Sequence, residues 1–167
     1  VGAALAAAVS ANRQETSTFL SAGDNIGAST YASSSQKDIP TLEYLDELGL
    51  DASAVGNHEF DRGSDDITSR DTKFQHLGAN VVKKGTDEPA FPAYTTYDVN
   101  GIKVAVIGVV TKDTKALVSP DGNSKIDFID PVKAVNKAAK ELEASDEKPD
   151  ITILEAHTGP SSAGSIK

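Results

Sequence analysis

The 167-residue sequence contains no cysteine, no methionine and no apolar run long enough to cross a membrane. Without cysteine, disulfide bonds and thiolate zinc sites are excluded. The longest apolar run is far shorter than the ~18 residues of a transmembrane helix. The sequence also shows no internal repeat and no low-complexity tract. These absences are compatible with an ordinary globular domain, whose fold class has to be inferred from the spacing of its apolar residues.

Basic residues are in the minority, with 16 Lys and Arg against 25 Asp and Glu, so the net charge is −9. A chain this acidic is poorly suited to nonspecific binding of nucleic acid polymers or of anionic membranes. A small anionic substrate is not excluded, because bound metal ions would reverse the local charge. The length and the 38% hydrophobic content suit one domain with a core of its own.

The two ends of the sequence indicate a piece of a longer protein. The chain starts at Val1 without a methionine, and VGAALAAAV has the pattern of the middle of an apolar helix. It stops at Lys167, shortly after a strand-like run. We therefore expect residues 1–167 to be part of one larger domain, with no second domain.

Strand-like and helix-like segments alternate over most of the sequence. Asn100-Gly101 is a strong hairpin signal between two of the strands. The pattern predicts an α/β layered sandwich with mostly parallel strands and one hairpin. Strands are predicted at 18–22, 51–55, 78–82, 93–99, 103–110 and 150–154, and helices at 3–12, 41–50, 64–76 and 131–144. The apolar pattern of the last helix places Val132, Val135, Ala139 and Leu142 on one face.

Polar residues follow three of these strands at the point where each one ends. Asp24 follows TFLSAG, Asn57 and His58 follow ASAVG, and His157 follows ITILEA. In open α/β sheets, ligands bind at the carboxyl ends of the strands. If the three strands are parallel neighbours, these side chains converge on one site. A Gly-Asp turn or a strand-end histidine alone has a good structural explanation, but the dense run from Asn57 to Asp61 favours a functional one.

Other polar residues carry a structural interpretation. His76 lies on a predicted helix without polar neighbours, so we interpret it as a surface or packing residue. Asp65 and Asp66 are interpreted as an exposed helix start, favourable to the helix dipole. Asp38, before Pro40, is a candidate helix cap.

The residue types at the three strand ends suit transition metals. Mixed carboxylate, amide and imidazole ligands favour Mn, Fe, Zn or Co over Ca, which prefers oxygen ligands alone. A carboxylate such as Asp24 can hold two divalent ions about 3.5–4 Å apart, where they activate water and clamp a phosphate. His58 would then face the substrate, and Asp61 would orient it and keep it protonated for acid catalysis.

These motifs resemble the calcineurin-like metallophosphoesterases, and more narrowly the bacterial 5′-nucleotidase and 2′,3′-cyclic-nucleotide phosphodiesterase family. SAGDNIGAS, LGLDASAVGNHEFDRG, LGANVV, NGIKVAVIGVVT and FIDPVKAV match that family in order. The resemblance implies that Asp24 bridges two divalent ions and that Asn57 and His157 ligate the second. It implies that His58, partnered by Asp61, stabilises or protonates the leaving oxygen. Asn57 and His58 would also bind the substrate, a nucleotide or other phosphoester.

The sequence departs from the family pattern in several places. The Asp-x-His strand end expected before Val1 and the Gly-His-x-His segment expected after Lys167 are outside it, as is the C-terminal specificity domain. ILEAHTG replaces the usual hydrophobic-Ser-His-Gly, although His157 is kept. We therefore expect a fold incomplete at both ends, with no metal ion or one weakly bound ion, and weak or no activity in this chain.

Two alternatives stay open. The chain could be a noncatalytic α/β module in which GNHEFD only shapes a loop or a partner surface. It could also derive from a phosphodiesterase or sugar-nucleotide hydrolase of the same superfamily, because nothing in it separates monoester from diester substrates. For location, the resemblance implies an extracytoplasmic protein, whether periplasmic, in the cell wall or secreted.

Overall fold

The computed structural model describes residues 2–159 and confirms the predicted α/β class. The helices are Gly2–Asn12 (α1), Tyr31–Ser34 (α2), Ile39–Glu47 (α3), Ser64–Thr68 (α4), Thr114–Leu117 (α5) and Pro131–Ala144 (α6), with a 3-10 turn at His58–Phe60. The strands are Leu20–Ser21 (β1), Ala52–Ala54 (β2), Gln75–Leu77 (β3), Val81–Lys83 (β4), Tyr94–Val99 (β5), Ile102–Val110 (β6), Ile126–Phe128 (β7) and Ile151–His157 (β8). Within this part of the chain, no helix is long and apolar enough to cross a membrane.

The strands form two three-stranded sheets and one two-stranded sheet. The first sheet has the order β1-β2-β3 and is parallel throughout. The second has the order β5-β6-β8, with β5 antiparallel and β8 parallel to β6. The predicted hairpin joins β5 to β6, and φ is positive at both Asn100 and Gly101, as a type I′ turn requires. The small third sheet pairs β4 with β7 antiparallel, which the sequence did not predict.

The two larger sheets pack face to face. Ala52 and Leu77 of the first sheet share an apolar cluster with Val104 and Val106 of the second. A larger cluster joins α3, the 3-10 turn and the β4-β7 pair, and contains Phe60. Since both faces of β6 are covered, its nearly continuous apolar run is explained by burial on two sides.

Helix α6 covers the outer face of the second sheet, but with a face rotated from the predicted one. Asp130 caps the helix by accepting the N–H of Lys133 at 2.9 Å. The expected inward residue Val132 is 67% exposed. Small side chains occupy the contact because they let the helix axis lie close to the strands. The buried positions are spaced four apart: Ala134, Ala138 and Leu142.

Several predicted boundaries differ from the structure, and three of the differences are large. The helix predicted over 64–76 ends at Thr68, and His76 lies instead on β3, where pairing with β2 fixes an extended backbone. The strand predicted at 78–82 is a turn followed by β4. The last strand extends beyond 154 to His157, because each residue from Ile151 onward pairs with β6.

Candidate functional site

The carboxyl ends of β1, β2 and β8 meet at one edge of the sandwich. Nε2 of His157 lies 3.2 Å from Oδ2 of Asp24 and 3.2 Å from Oδ1 of Asn57. The structure therefore brings the three predicted ligands together. The three strands are not neighbours in one sheet, as had been expected, because β8 pairs along its length with β6 in the facing sheet.

The loops after β1 and β2 lie in direct backbone contact. A Cβ atom on Gly56 would lie 2.2 Å from Oδ1 of Asp24, so no larger residue fits there without displacing that carboxylate. Gly23 and Asp24 both have positive φ, at 99° and 56°, which turns the chain sharply after β1. Oδ1 of Asp24 accepts the backbone N–H of His58 at 2.9 Å. The other carboxylate oxygen, Oδ2, is thereby directed toward His157.

The orientation of the His157 ring suits metal ligation. Its Nδ1 donates to the carbonyl oxygen of Ala22 at 2.9 Å, which leaves Nε2 for the site. With a neutral imidazole, Nε2 and the facing oxygens of Asp24 and Asn57 are all acceptors. Such a contact is favourable only with a proton on Nε2 or with a cation among the three atoms. Ligand atoms at about 2.1 Å from one ion and near right angles lie about 3 Å apart. The donor set therefore fits one divalent ion.

The same residues supply less for a second ion. Within residues 2–159, no group of three or more His, Asp or Glu side chains could hold a metal ion. The amide of Asn57 is therefore needed as the third donor beside Asp24 and His157. A second ion therefore has no comparable set of side-chain donors among residues 2–159.

His58 and Asp61 form a pair at the exposed side of the site. Nδ1 of His58 lies 2.9 Å from Oδ2 of Asp61, and each side chain is 36% exposed. The hydrogen bond to Asp61 raises the pKa of His58, the charges of Asp61 and Asp24 raise it further, and partial burial opposes them. With Nδ1 held, Nε2 of His58 is left to meet a ligand.

Glu59, to which the sequence analysis gave no role, lies beneath the two loops. Its side chain is fully buried. It accepts the backbone N–H groups of Asp24, Asn25 and Gly56 at 2.8, 2.8 and 2.6 Å. Burial raises its pKa, and these three hydrogen bonds oppose that effect. The sequence signal was slight: an acidic residue directly before the buried Phe60.

Asp38 also differs from its predicted role. It stands before α3 but makes no side-chain cap, and its φ is 62°. Its buried carboxylate instead accepts hydrogen bonds from the hydroxyls of Ser29 and Ser33 and from the N–H of Gly27. Burial would raise the pKa of Asp38, but these hydrogen bonds together with the charge of Arg62 outweigh it, and the net pKa is lowered. Asp38 thus orders the loop between β1 and α3.

The relatives found by comparison with known proteins include nucleotidases and a calcineurin-like phosphoesterase. No family model matches the chain. It is 41% identical over 143 residues to Endonuclease YhcR of Bacillus subtilis, covering 77% of this chain and 12% of that one. It is 38% identical over 145 residues to a 5′-nucleotidase of Vibrio vulnificus, covering 86% and 26%. The crystal structure of the calcineurin-like phosphoesterase YfkN of B. subtilis superposes with a TM-score of 0.78 at 27% identity, covering 92% and 52%.

In fold and in its strand-end motifs, the chain is similar to one part of a calcineurin-like phosphoesterase. Within that class it matches one segment of the 5′-nucleotidase family, so the resemblance predicted from the motifs is confirmed. The chain spans 12% of the length of the first relative and 26% of that of the second.

Proposed function

We propose that the protein containing this chain is a metal-dependent phosphoester hydrolase that acts on nucleotides as a 5′-nucleotidase does. The edge formed by β1, β2 and β8 would be part of its active site. The observation that carries this proposal is the approach of His157 Nε2 to within 3.2 Å of both Asp24 and Asn57 oxygens. Three distant segments converge there with one carboxylate, one amide and one imidazole, a donor set that suits a divalent cation.

Each residue then has a part in the reaction. Asp24, Asn57 and His157 would hold Mn, Zn, Fe or Co. A divalent ion supplies a Lewis acid for a phosphoryl oxygen and lowers the pKa of a bound water. Asn57 and His58 would contact the phosphate. His58, oriented by Asp61, would present Nε2 to the leaving oxygen and donate a proton there.

The remaining predictions about the whole protein belong to the same proposal. Residues 1–167 would be part of one catalytic domain, and a separate specificity domain would contact the base. A second ion would share Asp24 and take its other ligands from residues other than those described. The chain alone would be weakly active or inactive. An extracytoplasmic location rests on the family resemblance.

Phosphodiester hydrolysis is the second candidate. It is favoured by the name of the 41% identical relative, an endonuclease. The net charge of −9 argues against broad binding of nucleic acid polymers, so a small diester is the better substrate for this alternative.

The test uses the full-length protein that contains this chain, stripped with a chelator and reloaded with Mn²⁺. Hydrolysis of 5′-AMP and of bis-p-nitrophenyl phosphate is measured for the wild type, Asp24→Asn and His157→Gln. We expect each substitution to lower kcat/KM by more than the roughly 100-fold that loss of an outer-shell partner can cost. A preference for the diester would support the second candidate.

Asp51→Asn is the matched control. Asp51 also joins β1 to β2, by accepting the Phe19 N–H at 2.7 Å and the Thr18 hydroxyl at 3.0 Å, but at the opposite ends of these strands. We expect its kcat/KM to stay within about twofold of the wild type, since it touches no reacting group. Full activity of the stripped enzyme, or of Asp24→Asn, would overturn the proposal.

A further inference from the structure

We infer that Glu59 is the positioning residue of the site, holding the Asp24 loop and the Asn57 loop in the one arrangement that lets their side chains meet His157. The inference rests on the proposed function of these two loops as metal-binding loops. It assigns a task to a buried charge that contacts neither His157 nor the exposed edge.

The geometry of Glu59 ties the two loops to each other. Oε2 accepts the N–H of Asp24 from the first loop and that of Gly56 from the second. Oε1 accepts the N–H of Asn25. One carboxylate therefore satisfies three backbone donors on two segments more than 30 residues apart in sequence, which no local turn could do.

A second hydrogen bond also links the two loops. Oδ1 of Asp24 accepts the N–H of His58, so the Asp24 side chain is fixed by the same turn that carries Glu59. The Glu59 carboxylate fixes the Asp24 backbone, and the His58 amide fixes the Asp24 carboxylate. Together they leave Oδ2 of Asp24 directed at His157. Loss of the hydrogen bonds to Glu59 would therefore release the Asp24 backbone, from which that carboxylate projects.

Glu59 is itself held rigidly. The next residue, Phe60, is fully buried and packs edge-on against Phe91 and Phe128, at ring-centroid distances of 5.8 and 5.3 Å. The 3-10 turn His58–Phe60 thus has its last residue anchored in the core. Since Glu59 has no solvent exposure and both its oxygens accept backbone N–H groups, it acts through the loops and not as a ligand.

A carboxylate suits this position because three backbone N–H groups point at it, and both of its oxygens are acceptors. Glutamine has the same size and shape but one oxygen and one NH₂ group. Its oxygen could accept two of the three N–H groups, and its NH₂ would then oppose the third, that of Asn25. Glu59→Gln therefore replaces one hydrogen-bond acceptor by a donor without creating a cavity.

The experiment compares wild type, Glu59→Gln and Asp51→Asn in the 167-residue chain, without metal and with Mn²⁺ as the probe. Amide hydrogen exchange is followed by NMR in the metal-free protein. We expect exchange at Asp24, Asn25 and Gly56 to accelerate at least about tenfold in Glu59→Gln beyond any change in global protection. Asp51→Asn should affect the Phe19 amide and leave those three unchanged relative to global protection.

Mn²⁺ binding at equal folded fraction separates positioning from stability. We expect Glu59→Gln to weaken Mn²⁺ affinity by roughly 10–100-fold, as outer-shell substitutions do. Asp51→Asn, which also loses a carboxylate tie between β1 and β2, should bind within about twofold of the wild type. If Glu59→Gln does not fold, Glu59→Asp keeps the charge on a shorter side chain and should show the same two effects in smaller degree.

The outcomes distinguish this inference from the proposed function. Unchanged exchange at the three amides, or an unchanged Mn²⁺ affinity in a wild-type chain that binds Mn²⁺, would overturn the role of Glu59. Failure of the wild-type chain to bind Mn²⁺, with exchange accelerated as expected in Glu59→Gln, would count against the metal site and leave the tie between the loops in place.

Discussion

His58 and Asn57 are adjacent on one turn, yet the structure gives them different surroundings. Asn57 faces His157, whereas the His58 ring is held by Asp61 at the exposed side. In the full-length protein, His58→Ala should lower kcat by roughly 10²–10⁴, the usual range for a lost acid–base group. Metal content, measured by elemental analysis, should be unchanged. Asp61→Asn keeps the ring contact without the charge and should cost less; loss of metal in His58→Ala would mean that its assigned role is wrong.

At the residue scale, the sequence predicts what depends on side-chain chemistry at a strand end. Asp24, Asn57 and His157 could be selected because polar residues after apolar strands are informative by themselves. Glu59 could not, since its partners are three backbone N–H groups brought together only by tertiary structure. Asp38 shows the same limit: it is a plausible helix cap by position, but its carboxylate accepts hydrogen bonds from Gly27 and Ser29 of the preceding loop instead.

At the element scale, long patterned segments were predicted well and short ones poorly. Strand β6 and helix α6 were found because nine and fourteen residues carry a clear pattern. Strand β3 was missed, since three residues carry almost no pattern and its backbone is decided by pairing with β2. The face of α6 was predicted in part: Leu142 is buried as expected, whereas Val132 is exposed and the other buried positions are Ala134 and Ala138. Alanine contributes little to an apolar pattern, so these two positions could not be selected from the sequence.

The corrected position of His76 on β3 gives a pH prediction. Both ring nitrogens are shielded and lack a hydrogen-bond partner in the described part of the chain. Burial, with a contribution from the charge of Arg70, lowers the pKa of His76 to about 4. The unfolded chain binds a proton near pH 6.5, whereas the folded protein does so only near pH 4. Stability is therefore lost as the pH falls through this window, by at most about 1.4 kcal/mol per pH unit.

His76→Leu should remove this loss. Urea unfolding of both proteins at several pH values between 7.5 and 4.5 measures it, as the difference between their free energies of unfolding. That difference should be constant above pH 6.5 and shift in favour of the variant below it. His58→Gln is a control of opposite sign, because a raised pKa contributes stability at low pH. Parallel profiles for wild type and His76→Leu would contradict the assignment.

At the scale of the whole molecule, the class of fold and the shared edge were predictable, and the arrangement of sheets was not. Alternating segments predict α/β, and strand ends predict where polar residues gather. Which strand pairs with β6 depends on packing between segments distant in sequence, such as Ala52 and Leu77 against Val104. The three ligand-type residues therefore meet across two facing sheets and not along one.

Under the proposed function, metal binding would depend on the entire fold. Asp24 and Asn57 follow two strands of one sheet and His157 ends a strand of the other, so an ion held by all three would join the sheets and bind the folded state alone. Stabilisation would then follow RT ln(1 + [Mn²⁺]/Kd), about 1.4 kcal/mol at ten times the Kd.

With three protein donors and water in the remaining positions, we expect weak binding of at most one ion. Thermal unfolding of the 167-residue chain should therefore respond only to high Mn²⁺ concentrations, and His157→Ala should abolish the response. Two ions bound tightly per chain, or turnover of 5′-AMP at the ordinary enzyme rate of roughly 1–10³ per second, would show that ligands other than Asp24, Asn57 and His157 complete the site.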